Sequence, residues 1–267
     1  MTTGRWTLPD LHAALVRTEE QNIRGISCTL HVLDEYARTP EDADAVSASY
    51  REAISGIAKG GLDASISVKL SSLGALHDGD AALARTVNLC REASRNKVGF
   101  EIDMEGSGLI GAAIEAASLC RKGNFPVTLA IQAYLYRTTG DLRILLALGI
   151  TPRFVKGAYQ GDITDPARLR ERFFDLVKDA HRYEVPFHIG THDPVLIQDI
   201  MSLMGTRRDL IQFGFLLGLA DRTKQEMAAD LWQISEYIPY GTGGEAYIAR
   251  RERYMRELRD HGREPAP

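Results

Sequence analysis

"PRFVKGAYQGDITDPARLRERFFDLVKDAHRYEVPFHIGTH", residues 152–192, contains one whole repeat of the architecture. A short run rich in β-formers, PRFVKGAY from Pro152, leads into a segment of helical period, DPARLRERFFDLVKDAHRYE from Asp165. A second short run, VPFHIGTH from Val185, follows. Strand, helix and strand within about 30 residues is the size of a βα unit feeding a parallel sheet. Working outward, the same kind of run recurs as GISCTLHV from Gly25, ASISVKL from Ala64, VGFEIDM from Val98 and PVTLAIQAY from Pro126. Towards the end come LIQFGFLLG from Leu210 and EYIPYG from Glu236, with a helical segment, TKQEMAADLWQISE from Thr223, between them. The runs are too apolar for strict alternation, which suits a sheet covered on both faces. Eight strands, each followed by a helix, in ~250 residues predict an α/β (β/α)8 TIM-like barrel whose interior layers are branched and apolar. A doubly wound open sheet is the competitor, and the absence of G-x-G-x-x-G after the first run counts against its dinucleotide-binding form.

The boundaries follow. Residues 1–24 are expected to form a helical extension, 25–258 the barrel, and 259–267, RDHGREPAP, a frayed tail. SSLGALHDGD from Ser71 and GTRRDL from Gly205 read as loops. A formal charge of −4 over 267 residues gives no electrostatic footprint for nucleic acid. The first 20 residues have no apolar core segment, so no signal peptide is expected. No run of about 18 apolar residues is present to span a membrane. Cys28, Cys90 and Cys120 are far apart and odd in number, which predicts buried, reduced thiols in a cytoplasmic protein.

In such a barrel, chemistry sits at the C-terminal ends of the strands. Those positions hold Lys69, Asp103 with Glu105, Gln132, Arg153 with Lys156, His192 with Asp193, and Tyr237. Charged groups there must pair or hold a ligand, because an unpaired buried charge costs several kcal/mol. Lys69 and Asp103 also read as a structural ion pair on neighbouring strands. His188 and His192 lie four residues apart, about 13 Å along a strand; that is too far for one metal ion, so no metal is expected and His188 reads as a core histidine. Lys69 or Lys156 as the Schiff-base lysine of a lyase stays open as a rival.

The end of the chain, YIPYGTGGEAYIARRERYMRE from Tyr237, puts Arg250 and Arg251 side by side after a glycine-rich turn. That turn lets the last helix bend over the barrel mouth, where two guanidinium forks would clamp one carboxylate. The same residues also read as a solvated face laced with glutamates, and spacing alone leaves both readings open.

SVKLSSLG, EIDMEGS, IQAYLYRT, RFVKGAY, THD, FLLGL and YIPYG followed by YIARR occur in order, one per barrel position. In these motifs the sequence resembles the flavin-dependent proline dehydrogenases, monofunctional bacterial type, over most of its length. The resemblance implies a distorted (β/α)8 barrel with the last helix over the C-terminal mouth. It implies FAD at the strand ends and oxidation of L-proline to 1-pyrroline-5-carboxylate, with electrons passed to a quinone or other acceptor. Asp103 and Arg153 are then the catalytic pair, Arg153 lying near the flavin N5. Lys69, Leu216, Tyr237, Arg250 and Arg251 are the substrate shell. Met104, Gln132, Lys156, Gly157, Ala158, Thr191 and His192 hold the cofactor. Tyr237 against the ring would favour proline over hydroxyproline. The family's last loop carries a tryptophan and acidic residues where GTGGEAY stands here, which keeps a modified or carrier-bound proline open as the substrate. The product would pass to a separate pyrroline-5-carboxylate dehydrogenase. The expected location is cytoplasmic, with a peripheral position at the inner face of the membrane allowed by the resemblance.

Overall fold

The computed structural model describes residues 5–260, apart from residues 35 and 160 and the side chain of residue 257. In chain order come α1 (Leu11–Asn22), β1 (Ile26–Val32), α2 (Pro40–Gly60), β2 (Ala64–Val68), α3 (Gly79–Arg95), β3 (Gly99–Ile102), α4 (Ile110–Lys122) and β4 (Thr128–Gln132). They are followed by α5 (Thr138–Leu148), β5 (Thr151–Val155), α6 (Pro166–Arg182), β6 (Phe187–Gly190), α7 (Pro194–Met204), β7 (Ile211–Leu216), α8 (Asp221–Ala229), β8 (Gln233–Tyr240) and α9 (Glu245–Asp260). The strands form a closed parallel barrel in sequence order. It is sealed by β8 against β1, from Ile26 beside Ile234 to Val32 beside Tyr240.

Local chemistry sets the helix starts nearest the mouth. Asp165 and Asp193 each accept a backbone N–H three residues on, from Arg168 and Leu196, while Pro166 and Pro194 fill the first helical position. A carboxylate cap followed by a residue that lacks an N–H satisfies donors the helix would otherwise orphan.

Along each strand the side chains alternate. Phe154, Phe187 and Ile189 are buried on the outer face under the helices, and Phe154 meets Phe173 and Phe187 edge-on at 6.4 and 5.9 Å. Deleting a ring so placed costs roughly 3–5 kcal/mol. The inner face corrects the expectation of branched apolar layers. Thr29, Glu101, Arg153, His188 and Ser235 line a cavity inside the barrel. They are tolerated there because they satisfy one another: Thr29 and Ser65 both donate to Glu101, which pairs closely with Arg153. The apolar core therefore lies between sheet and helices.

Two boundaries differ from the sequence reading. The helix expected over 223–236 stops at Ala229. Leu231 turns with a φ of 64°, and Trp232 packs edge-on against Phe213 at 5.7 Å, so β8 begins at Gln233 rather than at Glu236. The tail expected at 259–267 is helical at Arg259 and Asp260; from residue 261 it lies outside the described residues.

The end of the chain departs from barrel regularity. Gly241 and Gly243, at φ of 109° and 79°, turn the backbone so that α9 crosses the mouth. The place beside β8 and β1 is taken by α1. Leu8 bridges to Tyr240 through Leu8 N to Pro239 O (2.9 Å) and Gly241 N to Leu8 O (3.0 Å). Below this bridge, Glu236 on the outer face of β8 accepts Arg17 Nε at 2.7 Å and Nη2 at 3.1 Å, and pairs closely with Lys224 of α8. No helix of the described residues is long and apolar enough to cross a membrane.

Candidate active site

Residues on or just past all eight strands and one face of α9 enclose a cavity of about 320 Å³, within the usual range of ligand pockets, roughly 300–1,000 Å³. Its centre is Asp103, one residue past β3. The carboxylate accepts Tyr237 Oη at 2.6 Å and Lys69 Nζ at 3.2 Å, and pairs closely with Arg153, which also grips Glu101. Burial alone would push the Asp103 carboxyl up, but Arg153 and Lys69 outweigh it and hold the group well below the usual carboxylate range. Burial, reinforced by Asp103, pushes the Tyr237 phenol well above its ordinary value. Asp103 is thus a fixed anion and Arg153 a fixed cation, whose guanidinium lies 5.8 Å from the Tyr237 ring centroid. Lys69 and Asp103 form the ion pair that their neighbouring strands suggested, and both line the cavity.

On the far wall, Gln132 donates to Glu105 O (2.9 Å) and accepts the Tyr134 hydroxyl (2.6 Å), which fixes its amide. Glu105 in turn holds Ser71 N at 2.9 Å, tying the loop after β2 to the loop after β3. Gly157 follows β5 with a φ of 130°, and a Cβ there would stand 1.7 Å from Tyr134 Cε1. Only glycine lets this backbone run along the cavity. Ala158 lies exposed at the rim. Lys156 donates to Asp193 at 2.9 Å, and Arg170 reaches the same oxygen at 3.5 Å. Burial would raise the Asp193 carboxyl, yet Lys156 holds it below its ordinary value.

Thr191 and His192 follow β6. The Thr191 hydroxyl accepts Asp193 N at 3.3 Å. His192 Nε2 accepts Leu216 N at 3.0 Å, so the proton resides on Nδ1, 3.3 Å from Tyr254 Oη of α9. Burial, then Arg251 and Lys224, keep this ring neutral. His188 departs from the core-histidine reading: it faces the cavity beside Arg153 on the neighbouring strand, and its Nδ1 finds no partner among the described residues. Burial lowers its pKa.

From α9, Arg250 lies 5.4 Å from the Tyr159 ring centroid, and Arg251 donates to Tyr247 Oη at 2.6 Å. Both arginines line the cavity rather than facing only solvent. Arg251 is only 3% exposed, its Nε has no partner among the described residues, and burial pulls its pKa down. A desolvated guanidinium in that state is a strong site for a carboxylate.

Sequence reasoning passed over His31, Glu101, Tyr247 and Tyr254. Glu101 stands two residues before Asp103 and so on the same strand face. Tyr247 and Tyr254 bracket the arginine pair at helical spacing. Both signals were present in the sequence.

The proline dehydrogenase family profile matches residues 14–172. Proline dehydrogenase 1 of Bacillus subtilis subsp. natto is 27% identical over 248 residues, covering 90% of this chain and 82% of that protein. The proline dehydrogenase of Deinococcus radiodurans is 28% identical over 239 residues, covering 85% and 77%. Among solved structures, proline utilization A (PutA) from Bdellovibrio bacteriovorus superposes with a TM-score of 0.84 at 19% identity. That match covers 92% of this chain and 32% of the larger one, a likeness of fold. With more than half its length matched by the profile, this chain belongs to the proline dehydrogenase family.

Proposed function

We propose that the chain is an FAD-dependent L-proline dehydrogenase that yields 1-pyrroline-5-carboxylate, with residues 25–258 as the catalytic unit. The observation that carries the reading is the buried, incompletely bonded Arg251 facing the Asp103–Arg153–Tyr237 cluster across one cavity. In this reading Arg250, Arg251 and Lys69 take the proline carboxylate, while Tyr237 and Leu216 wall the ring. Misplacing the reacting carbon by ~1 Å could cost on the order of 10²-fold, so the clamp serves orientation as much as affinity.

The residues fit the cofactor. Met104 and Leu216 give an apolar slot, Gly157 and Ala158 admit close backbone approach, Gln132 presents an oriented amide, and Thr191 and His192 shape the rim. Lys156, Arg250 and Arg253 make that rim cationic, as a diphosphate requires. FAD, when bound, supplies the acceptor for the hydride equivalent leaving ring C5 of proline. Arg153, buried and permanently charged, offsets the negative charge that builds at that edge, and Asp103 fixes its position. A quinone or other acceptor would take the electrons, a separate dehydrogenase the product, and the cytoplasm is the expected compartment.

A Schiff-base lyase would need a lysine amine without its proton, whereas Lys69 and Lys156 are each held in an ion pair, with Asp103 and Asp193. One absorbance experiment separates the readings. Purified protein should carry the visible flavin band and lose it on anaerobic addition of L-proline. A colourless protein trapped by borohydride with substrate would establish the lyase. A flavin band that proline leaves untouched would remove proline as the substrate.

A further inference from the structure

At the end of β1, His31 is fully buried and outside the cavity lining, yet its Nε2 sits 2.8 Å from Lys69 Nζ. The other nitrogen fixes its chemistry. Nδ1 lies 3.0 Å from the carbonyl oxygen of Ser67, which can only accept, so Nδ1 carries the hydrogen. Tyr50 of α2 donates its own hydroxyl proton to the same carbonyl at 2.7 Å and lies 3.1 Å from Nδ1, where its oxygen shares the imidazole hydrogen. This leaves Nε2 as a bare acceptor aimed at the ammonium. Lys69 is therefore held from two sides, by a carboxylate just past β3 and an imidazole on β1.

We propose that His31 is a positioning residue for Lys69, holding the ammonium at the cavity wall for the substrate carboxylate and coupling that contact to the protonation of the imidazole. The inference rests on the proline-oxidising reading above. A carboxylate grips any cation within reach, whereas a neutral imidazole acceptor works only while unprotonated. Once Nε2 gains a proton, two donors face each other at 2.8 Å and Lys69 is driven off its position. The described titratable groups around the ring are Lys69 of the β2 end, Tyr50 of α2, Asp103 beyond Lys69, and Tyr237 of β8, with ring centroids 5.6 Å apart.

The test uses the flavin-loaded protein with L-proline for turnover and cyclopentanecarboxylate, a ring acid with no amine to oxidise, for calorimetric binding. His31→Phe removes the acceptor, whereas His31→Gln keeps an acceptor near Nε2 that does not titrate. In His31→Phe, KM for proline and the dissociation constant for the ring acid should rise about tenfold with kcat changed little, the size of one charge-assisted hydrogen bond. His31→Gln should restore most of both. In the native protein, binding of the ring acid should weaken, with an inflection, once pH falls far enough to protonate the imidazole against its burial and the neighbouring ammonium. His31→Gln should show no such inflection. Equal affinities in His31→Phe and the native protein, or an inflection that survives in His31→Gln, would overturn the inference while leaving proline oxidation intact. A native protein that does not oxidise proline would instead overturn the reading beneath it.

Discussion

Glu236 and Tyr237 are neighbours on β8, and each belongs to a buried charged cluster, one on either side of the barrel wall. Outside, Glu236 is fully buried and saturated by Arg17 and Lys224, which pin α1 and α8 to the strand. Inside, Tyr237 joins Asp103, Arg153 and Lys69, and this cluster borders open space and a guanidinium whose Nε is unsatisfied among the described residues. Burial and charge are common to both clusters, so neither marks a functional site. The difference lies in unspent bonding capacity facing a cavity. A structural cluster closes on itself; a working one leaves part of its bonding to a ligand.

That contrast can be broken by experiment. The largest effect should come from Glu236→Ala, which removes the buried partner of Arg17 and Lys224 and leaves them the more exposed Glu20 and Asp221. A loss of about 3–5 kcal/mol is expected, on the order of 10 °C in Tm, with the kcat of the remaining folded molecules unchanged. Next, Arg251→Ala should raise KM for proline on the order of 10²-fold, as for a lost buried charged contact. Its Tm should hold or rise, because a desolvated cation has been removed. A variant that melts early with normal KM would place Arg251 in the structural class. Tyr237→Phe should be milder, lowering kcat/KM roughly tenfold through the lost hydrogen bond to a charged group, while Arg153 and Lys69 keep Asp103 in place. A separate effect falls on pH stability. His188 and His192 are kept neutral in the fold by burial, below the ordinary value of 6.5. The unfolded chain therefore binds more protons as pH falls through about 6.5, and each ring removes up to ~1.4 kcal/mol per pH unit until its folded value is passed. Urea midpoints at pH 7 and pH 5 should show this fall, and His188→Gln with His192→Gln should flatten it.

The barrel was legible because its strands are short apolar runs at a steady interval, and the mouth was legible because Lys69, Asp103 and Arg153 stand at strand ends where apolar packing does not place charges. What escaped was long-range. Arg17 finds Glu236 and Leu8 finds Tyr240 only once the barrel has closed, and no local pattern shows that α1 will occupy the place beside β8. The polar interior escaped for a related reason: Glu101 is acceptable there because Thr29, Ser65 and Arg153, from three other strands, converge on it. His31 was overlooked although it occupies the same kind of strand-end position as Lys69. The end of α8 was misjudged because QISE, after Trp232, fits a helix as readily as a strand until Phe213 is there to receive the indole.

Filling the wall with α1 separates sealing from covering. In a regular barrel the segment after the eighth strand shields that strand's apolar flank, so displacing it would unzip the molecule. Here α1 has taken over that duty, and α9 is joined to the barrel through the glycine turn, with Arg251 and Leu258 its only buried described side chains. Wall and cover are therefore separate parts of this chain, α1 closing the one and α9 forming the other.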